Sequence, residues 1–250
     1  MSGPPPTEAT SLGAWQRSPR STRSTRRSTV RQWVGRDSRE LEPFAPVLEC
    51  LLEAYGDADR LAERVERVVE LGPGRRVGLA RSLTQRLGDR RFECIGLPEF
   101  STDLGSYRFA DLAEWAATVP RKSLDLVLSR HALEENSYHP IALLRSKELR
   151  RLVLKGRRDG VLEAIPGTRP YLLRLAPLLA RGLRPGAHLV LQVLDRPRAD
   201  AFLAALEAEG LRILRRDRTR GRSGIVHARY DGRRSEGDVN PGGRKPRDAR

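Results

Sequence analysis

Cysteine is nearly missing from this chain: two among 250 residues, Cys50 and Cys94. Such a pair builds neither a disulfide framework nor a zinc-binding repeat. It fits a reducing cytoplasm. Histidine is also scarce. His131, His139, His188 and His227 are scattered, and no metal site is read from them. No apolar run approaches the roughly 18 residues of a membrane span, so no membrane partner is expected. What remains is a chain long enough for one large domain or two small ones, with enough apolar residues for a core.

Acidic residues are short at the two ends. Residues 1–40 hold 8 basic and 3 acidic side chains, and residues 212–250 hold 13 and 5. Of the net charge of +15, these ends carry +5 and +8 and leave +2 for residues 41–211. The high pI therefore belongs to the ends. SPRSTRSTRRSTV, within residues 1–40, is rich in Ser, Thr and Arg and cannot bury enough surface to offset its ordering entropy. A disordered basic tail is expected over 1–40 and another over 231–250. Such a Ser/Arg-rich start also resembles an organelle transit peptide, whereas Arg26-Arg27 lacks the apolar region of a twin-arginine signal. Trp15 and Trp33 dock on the body, stack on a base or make no fixed contact, with the first and last favoured over stacking.

The chain is organised around VVELGPGRRVGLARSL, Val68 to Leu83. Val68-Val69 opens a buried strand, and Glu70 puts a carboxylate near its carboxyl end. Gly72, Pro73 and Gly74 force a tight turn in which the backbone can approach a ligand closely. Gly78 then leads into Leu79, Ala80, Leu83 and Leu87 at helical spacing. Strand, glycine turn and helix make the first unit of a Rossmann-like sheet, with the ligand beyond the strand ends.

The other elements follow in order. Phe44 to Tyr55 reads as a helix stopped by Gly56, and Asp57 to Glu66 as a second short one. Phe92 to Leu97 is the second strand of the sheet and Tyr107 to Phe109 the third, ending at Asp111. Ser123 to Ser129 is the fourth, with the exit turn Ser129-Arg130-His131. Ile141 to Leu154 alternates apolar residues with arginine and lysine, which predicts a basic amphipathic helix. With it, residues 136–182 form a helical insertion or cap before the fifth strand. Tyr171 to Leu183 is a helix within that stretch, and the fifth strand follows a turn at Arg184-Pro185-Gly186. Ala199 to Glu209 is a helix, and Leu211–Leu214 and Ile225–Tyr230 are the final strands. Between those strands RRDRTRGRSG forms the hairpin tip. The fold expected is α/β and doubly wound: a mostly parallel, seven-stranded, Rossmann-like sheet with an antiparallel last strand.

Three segments carry a resemblance. ELGPGRRVGLA at Glu70 to Ala80, SLDLVLSRHALEE at Ser123 to Glu135 and LLARGLRPGAHLVLQV at Leu178 to Val193 are similar to successive motifs of the class I S-adenosylmethionine-dependent methyltransferases. The order and spacing span roughly residues 65–230, and 41–230 would be the methyltransferase-like domain. A nicotinamide enzyme would set a phosphate at this turn. A carboxylate such as Glu70 instead suits the sulfonium and ammonium of S-adenosylmethionine.

The resemblance implies that Gly72 and Gly74 line the methionine part, with Asp111 near the adenine, and that Glu70, Pro73 and Gly78 also belong to the cofactor-binding set. It places Ser129 near the point of methyl transfer. His131 is the candidate catalytic base, and Glu134 the second. The sequence departs from the pattern at Leu97, where an acid for the ribose is usual. The Asn/Asp-Pro-Pro-aromatic motif of amino-group DNA methyltransferases is absent, and neither cysteine sits where a cytosine C5 enzyme wants one. The implied activity is methyl transfer to an O or N atom of a small molecule or protein side chain. The alternative is an inactive scaffold that binds RNA or a protein partner through arginine-rich segments. Non-specific nucleic acid is a further partner for the basic tails.

Overall fold

The computed structural model describes residues 14–17, 23–73, 77–88, 91–96, 107–135, 167–219 and 223–232. The chain starts with a two-residue strand β1 (Gln16–Arg17) and helix α1 (Arg23–Val34). A 3-10 turn (Glu42–Phe44) leads into α2 (Ala45–Tyr55), and Gly56 ends that helix at φ 91°. Asp57 caps the next helix, α3 (Ala58–Arg64), by accepting from Arg60 N–H. Strand β2 (Val68–Leu71) is buried at every position, as a strand covered on both faces must be. Then come α4 (Gly78–Leu87), β3 (Phe92–Gly96), β4 (Tyr107–Phe109) and α5 (Leu112–Thr118). Next are β5 (Leu124–Arg130), α6 (Thr168–Gly182), β6 (Leu183–Val193), α7 (Arg196–Ala208), β7 (Leu211–Arg218) and β8 (Gly224–Tyr230).

These strands form one sheet in the order β1-β7-β8-β6-β5-β2-β3-β4. Strand β8 is antiparallel to both β6 and β7, and the other pairs are parallel. The seven strands from β2 onward match the expected arrangement, and β1 adds an eighth at the edge. One face packs on α1 to α4 through a core that includes Phe44, Leu48, Leu79, Leu83, Cys94 and Leu128. The other packs on α5, α6 and α7 through Trp115, Tyr171, Leu175, Leu179, Phe202 and Leu206.

Three expectations change. The 1–40 tail is not structureless throughout. From Arg23 it forms α1, whose Val30 and Trp33 are buried in the sheet-covering core. Trp15 docks too, against the hairpin of β7 and β8, with Arg216 over its ring. The proposed cap also shrinks. Residues 168–182 are α6, an ordinary crossover helix whose Tyr171, Leu172, Leu175 and Leu179 form an apolar stripe on the sheet. Its first half, 136–166, lies outside the described residues, as do the 233–250 tail and the tip at 220–222. The turn at Arg184-Pro185-Gly186 is instead a bulge within β6. Register jumps there between Leu124↔Leu183 and Leu126↔His188.

At the amino end of the sheet, Asp125 accepts from Glu66 N and Arg67 N, at 2.7 and 2.9 Å, and ties β5 to the entry of β2. The opposite, carboxyl, end holds the glycine turn.

Candidate functional site

Glu70 is fully buried, hydrogen-bonded through its backbone between β3 and β5, opposite Cys94 and Leu128. A lone carboxylate there would be costly, and Arg130 answers it. Arg130 Nε lies 3.5 Å from Glu70 Oε1 and its Nη2 donates to Pro73 O at 2.7 Å. The guanidinium sits over the Phe44 ring, 4.1 Å from the centroid. Burial pushes the Glu70 carboxyl above the usual carboxylate range, and Arg130 pulls it partly back. The second carboxylate oxygen, Oε2, is buried with no hydrogen-bond partner among the described residues. The same holds for Ser129 Oγ and Gln192 Oε1. Register puts Arg130 opposite Gln192 and Ser129 opposite Leu71 and Leu191. Orphaned buried polar atoms are uncommon in a folded core. Here three of them lie at the carboxyl ends of β2, β5 and β6, Glu70 and Gln192 on one face of the sheet and Ser129 on the other. That end is where open α/β sheets bind ligands.

The glycines divide. Gly72 has φ +66° and donates its N–H to Ile95 O at 2.7 Å. A Cβ on it would fall 2.3 Å from Ala132 Cβ, so the loop after β5 needs glycine there. At Gly78 a Cβ would meet Glu40 O at 2.8 Å. The chain ahead of the 3-10 turn therefore crosses the first turn of α4, and Arg81 pairs with Glu40 at 3.3 Å. Both glycines answer to chain packing in this structure. Gly74 and Leu97 lie outside the described residues.

Asp111 is spent largely on structure. Its Oδ1 accepts from Ala113 N, Glu114 N and the Tyr171 hydroxyl, at 2.9, 3.1 and 2.9 Å, and so caps α5. His131 sits in the left-handed region at φ 57°, and its N–H donates to Gln192 O at 2.7 Å. Its Nδ1 is 3.8 Å from Glu134 Oε1. Glu134 is buried and accepts from Leu194 N and Asp195 N, both at 2.8 Å. The loop after β5 is thus clamped to the end of β6, with the imidazole held at its edge.

The structure brings Glu70, Gly72, Pro73, Ser129 and His131 to one end of the sheet and assigns Gly78 and Asp111 packing and capping roles. Sequence reading missed Arg130, Phe44 and Gln192. Only an arginine closing an apolar strand hinted at Arg130, and nothing in sequence pairs it with a carboxylate sixty positions earlier.

No protein-family model matches this chain, and no curated protein matches it in sequence. Solved structures do. One is an S-adenosylmethionine-dependent methyltransferase from Mesorhizobium loti, 16% identical, covering 74% of this chain and 96% of its own, with TM-score 0.43. Another is the N-methyltransferase NodS from Bradyrhizobium japonicum, 14% identical, covering 76% and 96%, with TM-score 0.44. A third is a SAM-dependent methyltransferase from Aquifex aeolicus, 14% identical, covering 72% and 92%, with TM-score 0.39. From β2 to β8 the strand order, with β8 as the one antiparallel strand, is that of a Rossmann-like α/β fold.

Proposed function

We propose that the chain is an S-adenosylmethionine-dependent methyltransferase that moves a methyl group to an O or N atom of a small molecule or protein side chain. The observation that carries this reading is Glu70. It is a buried carboxylate directly ahead of the glycine turn, with Oε2 unsatisfied beside a buried guanidinium. An amino-acid moiety is a zwitterion, and the pair matches both of its charges. Glu70 Oε2 would accept from the ammonium, and Arg130 would face the carboxylate. S-adenosylmethionine, when bound, supplies a methyl on a sulfonium, a group that leaves by in-line displacement without acid assistance.

The protein's contribution is then mostly positioning. Ser129 and Gln192 offer unpaired oxygens to ligand donors at the strand ends. His131, with Nδ1 3.8 Å from the fixed carboxylate of Glu134, would take the proton from an acceptor that arrives protonated. The near-neutral body supports a small or side-chain acceptor over a polyanion, since residues 41–211 carry only +2. The Glu70–Arg130 contact also favours a second reading, an inactive scaffold in which an internal cation has replaced the ligand's.

Calorimetric titration of the full chain with S-adenosylhomocysteine separates the two. The enzyme reading expects saturable binding and no heat from NADH. Replacing Glu70 with Gln removes a charge-assisted contact of about 1.5–3 kcal/mol and should weaken binding about 10- to 150-fold. No binding at millimolar ligand favours the scaffold.

A further inference from the structure

A second cluster lies away from the glycine turn, where α2 crosses the middle of β6 and β8. Cys50 and Glu53 are three residues apart on α2 and so share a face of that helix. His227 comes up from β8, opposite Val190 of β6. One ligand atom from each residue, a sulfur, a carboxylate oxygen and an imidazole nitrogen, lies within 4.8 Å of the other two. We propose that Cys50, Glu53 and His227 form a site for a zinc-class divalent cation that fastens α2 to the β6–β8 pair, with water as the fourth ligand.

The donor set chooses the class of ion. Thiolate with imidazole suits zinc and its neighbours, whereas magnesium and calcium want oxygen shells. Bonds of about 2.0–2.3 Å in a tetrahedral site put donors roughly 3.3–3.8 Å apart. His227 Nδ1 and Glu53 Oε2 already stand 3.8 Å apart. The remaining closure is a small motion of side chains.

The residues behind the donors are arranged as metal sites require. His227 Nε2 lies 2.8 Å from His188 Nδ1. With the proton on Nε2, His227 donates to His188 and turns a bare Nδ1 lone pair toward Cys50 and Glu53. Arg215 Nη1 donates to Glu53 Oε1 at 2.6 Å and fixes the carboxylate.

Charge points the same way. Arg215 is the shared partner of Glu49, Glu53 and Asp217, so carboxylates surround the donor cluster. A bound dication would displace the Cys50 thiol proton. Glu53 is half exposed and gives the ion a way in.

The test is cobalt(II) titration of the chelator-treated full chain, followed by zinc displacement. One equivalent of cobalt should produce a thiolate-to-cobalt charge-transfer band that zinc abolishes. Cys50→Ser should lose the band, and Cys94→Ser should keep it. Glu53→Gln, at a half-exposed position, keeps an oxygen for Arg215 yet should weaken binding at least tenfold. His188→Gln, behind the ligand, should weaken it about 10- to 100-fold. Saturating zinc should raise the melting midpoint of the wild-type chain by about 5–10 °C and that of Cys50→Ser not at all. Absence of the band in wild-type protein, or its persistence in Cys50→Ser, overturns the proposal.

Discussion

Glu70 and Arg130 bury two opposite charges against each other, with side chains 1% and 9% exposed. Breaking such a pair from one side leaves an uncompensated buried charge and costs about 3–5 kcal/mol. Denaturant unfolding at neutral pH should therefore find Glu70→Gln and Arg130→Met each strongly destabilised. The double variant should be far less so than their sum, and strict additivity would deny the coupling. Gly72 makes a second prediction. Gly72→Ala drives a methyl group into Ala132 and sits at φ +66°. The loss should reach about 2 kcal/mol or more, from overpacking plus left-handed strain. Pairing it with Ala132→Gly should restore only the part due to the clash. Glu70 and Gly72 were legible in sequence because a strand end and a tight turn are local. Ala132 and Arg130 were not, because contacts across the sheet leave no mark on spacing. Asp111 entered through the family resemblance, and its Oδ1 caps α5, a role that its spacing alone did not show.

At the scale of elements, α1 shows what an average over composition hides. Its sequence, RSTRRSTVRQWV, is polar and basic, and it reads as a tail. Two residues three apart, Val30 and Trp33, reach the core and are 0% and 1% exposed. Two anchors suffice because helix α2 and the 3-10 turn are already there to receive them, which no window over 1–40 reveals. Trp33→Ala should cost about 3–5 kcal/mol, and an unfolding midpoint unchanged in that variant would place Trp33 outside the core. Likewise, deletion of residues 1–13 should leave that midpoint alone, whereas deletion of 1–38 should lower it. Helices α2 and α3 were legible, since apolar periodicity, Gly56 and Asp57 mark them directly, and so was the start of the final hairpin after Gly210. Strand β7, however, runs on to Arg218 through arginines that read as hairpin tip, because pairing with β8 supplies what their composition does not. The apolar stripe of α6 was legible too, but its role was misread. A stripe says that a helix is covered and not by what.

Across the whole molecule, the sheet order follows from alternating strand and helix signals with a final hairpin, and that pattern is in the sequence. The proposed site lies where β2, β5 and β6 end, and the unpaired oxygens of Glu70, Ser129 and Gln192 there are visible only in three dimensions. The central claim is that this end of the sheet binds an adenosyl sulfonium cofactor. Thermal unfolding tests it without any knowledge of the methyl acceptor. A ligand at 100 times its dissociation constant stabilises the native state by about 2.7 kcal/mol. For a chain of this size each kcal/mol moves the midpoint by roughly 2–4 °C. S-adenosylmethionine or S-adenosylhomocysteine should therefore raise the midpoint by about 5–10 °C, NADH should not, and Glu70→Gln should need more ligand for the same shift. An unmoved midpoint with either adenosyl ligand at millimolar concentration would contradict the account.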